Sequence, residues 1–260
     1  MRMWNQFAGR KPHHRFDGRI LILGLLALLM MFSVAAAEEE APATLMGVVH
    51  PDYAPGAVEP HEPTGNEYFA DAVFIGDSLM EHLEMTEVFP DANYVWKVGM
   101  GPISMGNKQF RLRGVDGKLS AYEAVAHYQP KKIFILLGGN GLNTNLSDVM
   151  IGHYEAMVDQ LITLCPDAMI FALAPAPGSK KGMEDRGIAP ARFAQFCTKL
   201  EELSQRKGLY FLDLYHLLAD EDGNLPGEYD CGDGYHLSDP AYDLMVDLIR
   251  THTVPYPEAE

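Results

Sequence analysis

Beyond about residue 68, two apolar patterns alternate along the chain. Short, β-rich and largely apolar runs occupy residues 72–75 (AVFI), 93–98 (NYVWKV), 132–137 (KIFILL), 168–174 (AMIFALA) and 209–214 (LYFLDL). Apolar residues at successive positions predict strands buried on both faces, as in a parallel sheet. Between the runs the spacing changes to steps of three and four. Met150, Tyr154, Met157, Leu161 and Leu164 share one face of a helix, and so do Phe193, Phe196, Leu200 and Leu203. Asp239-Pro240 opens a last helix, with Asp as N-cap and Pro at the first helical position. Strands alternating with helices through short connections predict a three-layer α/β/α domain over residues 68–260, built on a five-stranded parallel sheet.

The two segments ahead of this domain read differently. Residues 20–37 (ILILGLLALLMMFSVAAA) carry no charge and no proline, with Arg15 and Arg19 before them and Glu38, Glu39 and Glu40 after. The run is apolar on every face, which does not suit a helix of a soluble core, and the charge bias puts the chain beyond Glu38 outside the cytoplasm. As a helix it would span about 27 Å, just short of the roughly 30 Å hydrocarbon core. Ala35 and Ala37 form a small-x-small cleavage signature, so residues 1–37 read as a signal peptide. The long basic stretch ahead of the run favours an uncleaved membrane anchor instead. Both readings stay open, and both make the body extracytoplasmic, whether secreted or anchored. Residues 38–67 hold Pro42, Pro51, Pro55, Pro60 and Pro63 with little periodicity, which predicts an extended spacer.

Composition narrows the function classes. The 260 residues are 47% apolar and 22% charged, with a net charge of −16. Residues 1–37 hold five of the 20 basic residues and one of the 36 acidic ones, which leaves −20 on the rest. So acidic a body does not suit nucleic acid. It would also be repelled by anionic bilayers, so membrane contact falls to the N-terminal segment. Three cysteines, without a CxxC pair, argue against a disulfide framework and a structural zinc site. Cys165 at a helix end and Cys231 in a C-terminal loop are expected at opposite edges of the sheet, beyond bridging distance.

In a parallel α/β sheet, sites form where the strands end. After the first run comes Gly76-Asp77-Ser78-Leu79. A serine at a strand-to-helix turn is placed as a nucleophile, its own amide aimed at a developing oxyanion, or it is a plain helix N-cap. The GxSxG elbow of α/β-hydrolases is absent, since Met80 stands at the second glycine position. Gly99 follows the second run and either lets the backbone approach a ligand closely and present its N–H, or is an ordinary turn glycine. Gly138-Gly139-Asn140-Gly141 follows the third, where Asn140 is either an oxyanion donor or a turn residue. Asp233-Gly234-Tyr235-His236 precedes the last helix. A carboxylate three residues before a histidine can hold its Nδ1–H and free Nε2 to act as a base, although the same spacing occurs in surface loops.

Four such signals in this order resemble the SGNH (GDSL) hydrolase family over about residues 70–253: FIGDSLM, VG with Gly99, GGNG with Asn140, and DGYH. The resemblance implies a flavodoxin-like sheet in the order 2-1-3-4-5. It implies a catalytic triad of Ser78 as nucleophile, His236 as base and Asp233 as its orienter. It also implies an oxyanion hole made of the Ser78 and Gly99 amides and the Asn140 side chain. One departure concerns the third block, usually GxND, in which Gly141 stands in place of the aspartate.

The implied chemistry is acyl transfer through a serine ester, needing no metal or cofactor. With water as acceptor the chain is an esterase or deacetylase acting on an acylated small molecule or polysaccharide. With a sugar hydroxyl it is an O-acetyltransferase of cell-wall or exported polysaccharide; with water as acceptor and a phospholipid as substrate it is a lysophospholipase. A carbohydrate-binding module that has lost activity on the same fold is the non-enzyme alternative. Lys180, Lys181 and Arg186, after the fourth run, either bind an anionic substrate group or belong to a solvated loop. Trp96 and Met100 either line an acyl pocket or pack in the core.

Overall fold

The computed structural model describes residues 45–257 apart from Arg113. The apolar run 20–37 lies outside the described residues, and among those described no helix is long and apolar enough to cross a membrane. The central sheet has six parallel strands: β1 (Gly56–Ala57), β2 (Ala72–Gly76), β3 (Asn93–Trp96), β6 (Lys132–Leu136), β7 (Met169–Leu173) and β8 (Tyr210–Leu212). A separate two-stranded hairpin, β4 (Gln109–Phe110) and β5 (Leu119–Ser120), interrupts the chain between β3 and β6. The sheet order is β1-β8-β7-β6-β2-β3. The five strands expected from the sequence therefore adopt the order 2-1-3-4-5.

The sixth strand corrects the five-stranded count. It comes from the proline-rich stretch, whose described part is extended but docked on the domain. The Gly47 and Gly56 amides donate to the Lys207 and Leu209 carbonyls at 2.8 Å, and those of His61 and Thr64 donate to Thr251 and Arg250 at 2.8 and 2.9 Å. A strand this short, among prolines, suits a sheet edge, where only one side of the backbone must pair.

Both faces of the sheet are buried, which is why the strands read as continuous apolar runs. Val73, Ile75, Ile133, Ile135 and Ile170 face one layer of helices: α2 (Ala121–Tyr128), α3 (Ser147–Leu164) and α5 (Pro190–Lys207). Phe74, Phe134, Phe171 and Tyr210 face the other: α1 (Leu79–Met85), α6 (Leu214–Leu218) and α7 (Asp239–Thr251). On that second face, parallel register sets Phe74 beside Phe134, Phe134 beside Phe171, and Phe171 beside Tyr210. Their ring centroids lie 4.9, 4.5 and 5.2 Å apart, a ladder of aromatic contacts across four strands. The N-cap of α7 is Ser238, one residue earlier than the sequence suggests. The remaining helix, α4 (Lys180–Asp185), lies in the connection after β7.

Candidate active site

Gly76 pairs with Trp96 on one side and Leu136 on the other, so β2, β3 and β6 end level with one another. The chain leaves β2 through Asp77 and Ser78 directly into α1. Ser78 has φ −62° and ψ −20°, and its side chain makes no capping bond. Capping of α1 falls instead to Asp77, whose Oδ1 accepts from the Leu79 amide at 3.1 Å. This frees the Ser78 hydroxyl, and Oγ lies 2.8 Å from His236 Nε2.

His236 sits in a loop shaped by two aspartates. Asp230 Oδ1 accepts from the Gly232 and Gly234 amides at 2.8 and 2.9 Å, and the Cys231 amide donates to the His236 carbonyl at 3.0 Å. Gly232 and Gly234 have φ of +109° and +87°, the region that favours glycine. Asp233 turns Oδ2 to His236 Nδ1 at 2.6 Å, while its Oδ1 accepts from the Tyr235 and His236 amides, both at 2.9 Å. Partial burial opposes the Asp233 charge. The bonds from His236 and the Tyr235 amide outweigh it and hold the carboxyl well below the usual range. An ionised Asp233 fixes the proton on Nδ1 and leaves Nε2 as acceptor toward Ser78. Ser78, His236 and Asp233, from opposite ends of the domain sequence, form one hydrogen-bonded line.

Gly99 and Asn140 line the same cleft as Ser78 and His236. Gly99 has φ +68°, and a Cβ there would meet nothing, so backbone conformation rather than crowding calls for glycine. Asn140 Nδ2 donates to Asp77 Oδ2 at 2.7 Å and, more weakly, to the Met100 carbonyl at 3.3 Å. The expected oxyanion donor thus reaches the cleft, held by a carboxylate that sequence reasoning passed over. Asp77 is 7% exposed. Burial raises its pKa, against the pull of the Leu79 amide, Asn140 and the nearby His236. The only sequence signal for this role is its position next to Ser78. Gly141, where the family usually has aspartate, has φ +111° and a Cβ position 3.1 Å from Met150 Sδ, so a side chain there would be strained.

The cleft has a volume of about 260 Å³. Val98, Met183, Ile188 and Phe193 supply apolar wall. Neither Trp96 nor Met100 does so. The Trp96 indole donates to Glu84, and Met100 is fully buried in the core. Cys165 and Cys197 are buried and Cys231 is exposed; all three are free thiols. Asp230, Cys231 and Asp233 have ligand atoms close together, but both carboxylates are engaged by the bonds that shape the His236 loop.

Residues 74–244 match the GDSL-like lipase/acylhydrolase family. The chain belongs to this family. As a member it is a hydrolase acting on ester bonds. The fold agrees with solved structures of similar proteins. A candidate acylhydrolase of Bacteroides fragilis superposes with a TM-score of 0.55 at 17% identity, covering 68% of this chain and 83% of its own. A GDSL-like lipase of Bacteroides thetaiotaomicron gives 0.55 at 16% identity, covering 68% and 84%. A comparison with curated proteins gives no match.

Proposed function

We propose that this GDSL hydrolase is an extracytoplasmic serine esterase that removes small O-acyl groups, with acylated carbohydrate or a small ester as substrate. The observation that carries the reading is the 2.8 Å contact between Ser78 Oγ and His236 Nε2, backed by Asp233 at 2.6 Å. Ser78 attacks the ester carbonyl as Nε2 takes its proton. The charge that develops on the carbonyl oxygen is met by the Ser78 and Gly99 amides and by the Asn140 N–H that turns from its weak 3.3 Å bond to the Met100 carbonyl, and one such donor is worth about 3–4 kcal/mol of barrier. The imidazolium, stabilised by Asp233, then gives its proton to the departing alcohol. A water molecule, deprotonated by the same nitrogen, releases the acid and restores Ser78.

The charge of −20 on residues 38–260 disfavours a lysophospholipase, because it repels anionic bilayers. The location outside the cytoplasm rests on residues 20–37 and their flanking charges.

The test uses purified protein with acetyl, butyryl, octanoyl and palmitoyl esters of 4-nitrophenol, with and without polysaccharide acceptors, and a serine-reactive phosphonate. Hydrolysis of the short esters and labelling at Ser78 are expected. Ser78→Ala should lose both, with turnover down by about 10³-fold or more and an unchanged melting curve. Turnover retained in that variant refutes the mechanism. Acyl groups recovered on the polysaccharide instead of in water would convert the reading to an O-acetyltransferase. A wild-type protein that takes no label and hydrolyses no ester would be the binding module.

A further inference from the structure

Among the described residues that line the cleft, Arg186 is the only lysine or arginine, and the esterase reaction makes no use of it. Its guanidinium lies over the Tyr235 ring, 3.2 Å from the centroid, next in sequence to His236. No carboxylate of the described residues pairs with it. Lys181, by contrast, is spent on Asp185 Oδ2 at 2.7 Å.

The segment that carries Arg186 is built onto the catalytic loop. Ser179 caps α4, its Oγ accepting from the Gly182 amide. The Ser179 amide donates to the Gly234 carbonyl at 2.9 Å, and the Tyr235 hydroxyl donates to the Gly182 carbonyl. Gly182 packs so closely on Gly234 that a Cβ would collide with its backbone. Arg186 and His236 therefore ride on two segments joined backbone to backbone, and the exposed guanidinium stacks on the residue next to His236.

We propose that Arg186 is a subsite for a carboxylate carried by the ester substrate beside the scissile bond, on the acyl or the alcohol side. The inference rests on the esterase reading. Stacking one face of the guanidinium on Tyr235 leaves the N–H fork at its edge free for two parallel bonds to a carboxylate. A single unpaired cation matches a monoanion better than a phosphate dianion. The chain's net charge of −16 repels anions at long range. Capture of an acidic substrate thus depends on a local, shaped contact, and among the described lining residues Arg186 carries the one permanent positive charge.

The experiment compares matched esters with purified wild-type, R186Q and R186K protein. 4-Acetoxybenzoate against its methyl ester places the carboxylate on the alcohol side. The 4-nitrophenyl monoester of glutaric acid against 4-nitrophenyl butyrate places it on the acyl side. The readout is the ratio of kcat/KM, carboxylate over neutral, within each pair. In at least one pair R186Q should lower that ratio by about 10- to 100-fold, mostly through KM, as expected for loss of a charge-assisted bond. R186K should fall between, since it keeps the charge and loses the fork, and added salt should shrink the wild-type preference. Ratios that stay put in R186Q for both pairs, or carboxylate and neutral esters that fall together, overturn the proposal. That result combined with wild-type hydrolysis of the neutral esters leaves the esterase reading standing, whereas no hydrolysis of any ester removes both.

Discussion

Asp233→Asn changes one end of one side chain and leaves its frame in place. In the wild type, Oδ1 accepts from the Tyr235 and His236 amides at 2.9 Å while Oδ2 faces His236 Nδ1 at 2.6 Å. The two amides decide which way an asparagine must sit. Its oxygen has to stay with them, because turning the NH2 group there would set donor against donor twice. The NH2 group is then forced toward Nδ1, which can only accept, so the ring proton moves to Nε2. In that tautomer Nε2 cannot take the Ser78 proton. The cost of a wrong tautomer in a triad of this kind is about 10⁴-fold in kcat, or about 5 kcal/mol of barrier. The assay is hydrolysis of 4-nitrophenyl acetate, run beside thermal denaturation to show that the loop still folds. A folded Asp233→Asn protein within about tenfold of wild type would refute the assignment of Asp233 as the orienter.

The same carboxylate sets an acid limit on stability. Its pKa is depressed in the fold, so its contribution is fully present above the ordinary carboxylate value, about 4, and is lost as pH falls toward the folded value. Urea midpoints at neutral and acid pH should show the gap between wild type and Asp233→Asn closing in acid; a gap that widens contradicts the sign. Gly182→Ala should push Gly234 and the His236 loop aside and cost about 10²-fold in kcat, in line with small misplacements of catalytic groups. An active Gly182→Ala would mean that the two loops are not coupled. Phe134→Ala removes a fully buried ring stacked between Phe74 and Phe171 and should cost about 3–5 kcal/mol in denaturant titrations; a loss below about 1 kcal/mol would mean that the ladder closes over the gap.

Much of the site could be read from residue order. GDSL and DGYH carry the side chains proposed to react, at strand and loop ends, where such folds put their chemistry. What escaped was every element whose meaning lies in a contact. Asp77 reads as filler in Gly76-Asp77-Ser78, and only its bond to Asn140, 63 residues away, gives it a part in the site. Arg186 is not set apart from Lys180 and Lys181, with which it shares the anion-binding reading, until Tyr235 is found beneath it. The sequence leaves open whether Trp96 and Met100 line the cleft or pack in the core, because nearness in sequence to Gly99 says nothing about which way a side chain points.

The sequence by itself determined the layers and their order along the chain. A parallel sheet buried on both faces leaves its mark on every strand, and helices of 18 residues, about five turns, repeat their apolar face often enough to be seen. It also marked the candidate reactive groups, through the order of the GDSL, GGNG and DGYH blocks that carries the family resemblance. The tertiary structure alone decided the sixth strand. Two residues among prolines carry no periodic signal, and β1 exists because the exposed edge of β8 has carbonyls and amides to pair. It alone decided the aromatic ladder too, since register, not composition, sets four rings side by side. And it alone decided that Ser78 meets His236 across 158 residues of chain, because that distance is closed by helices packing on a sheet, which no local pattern encodes.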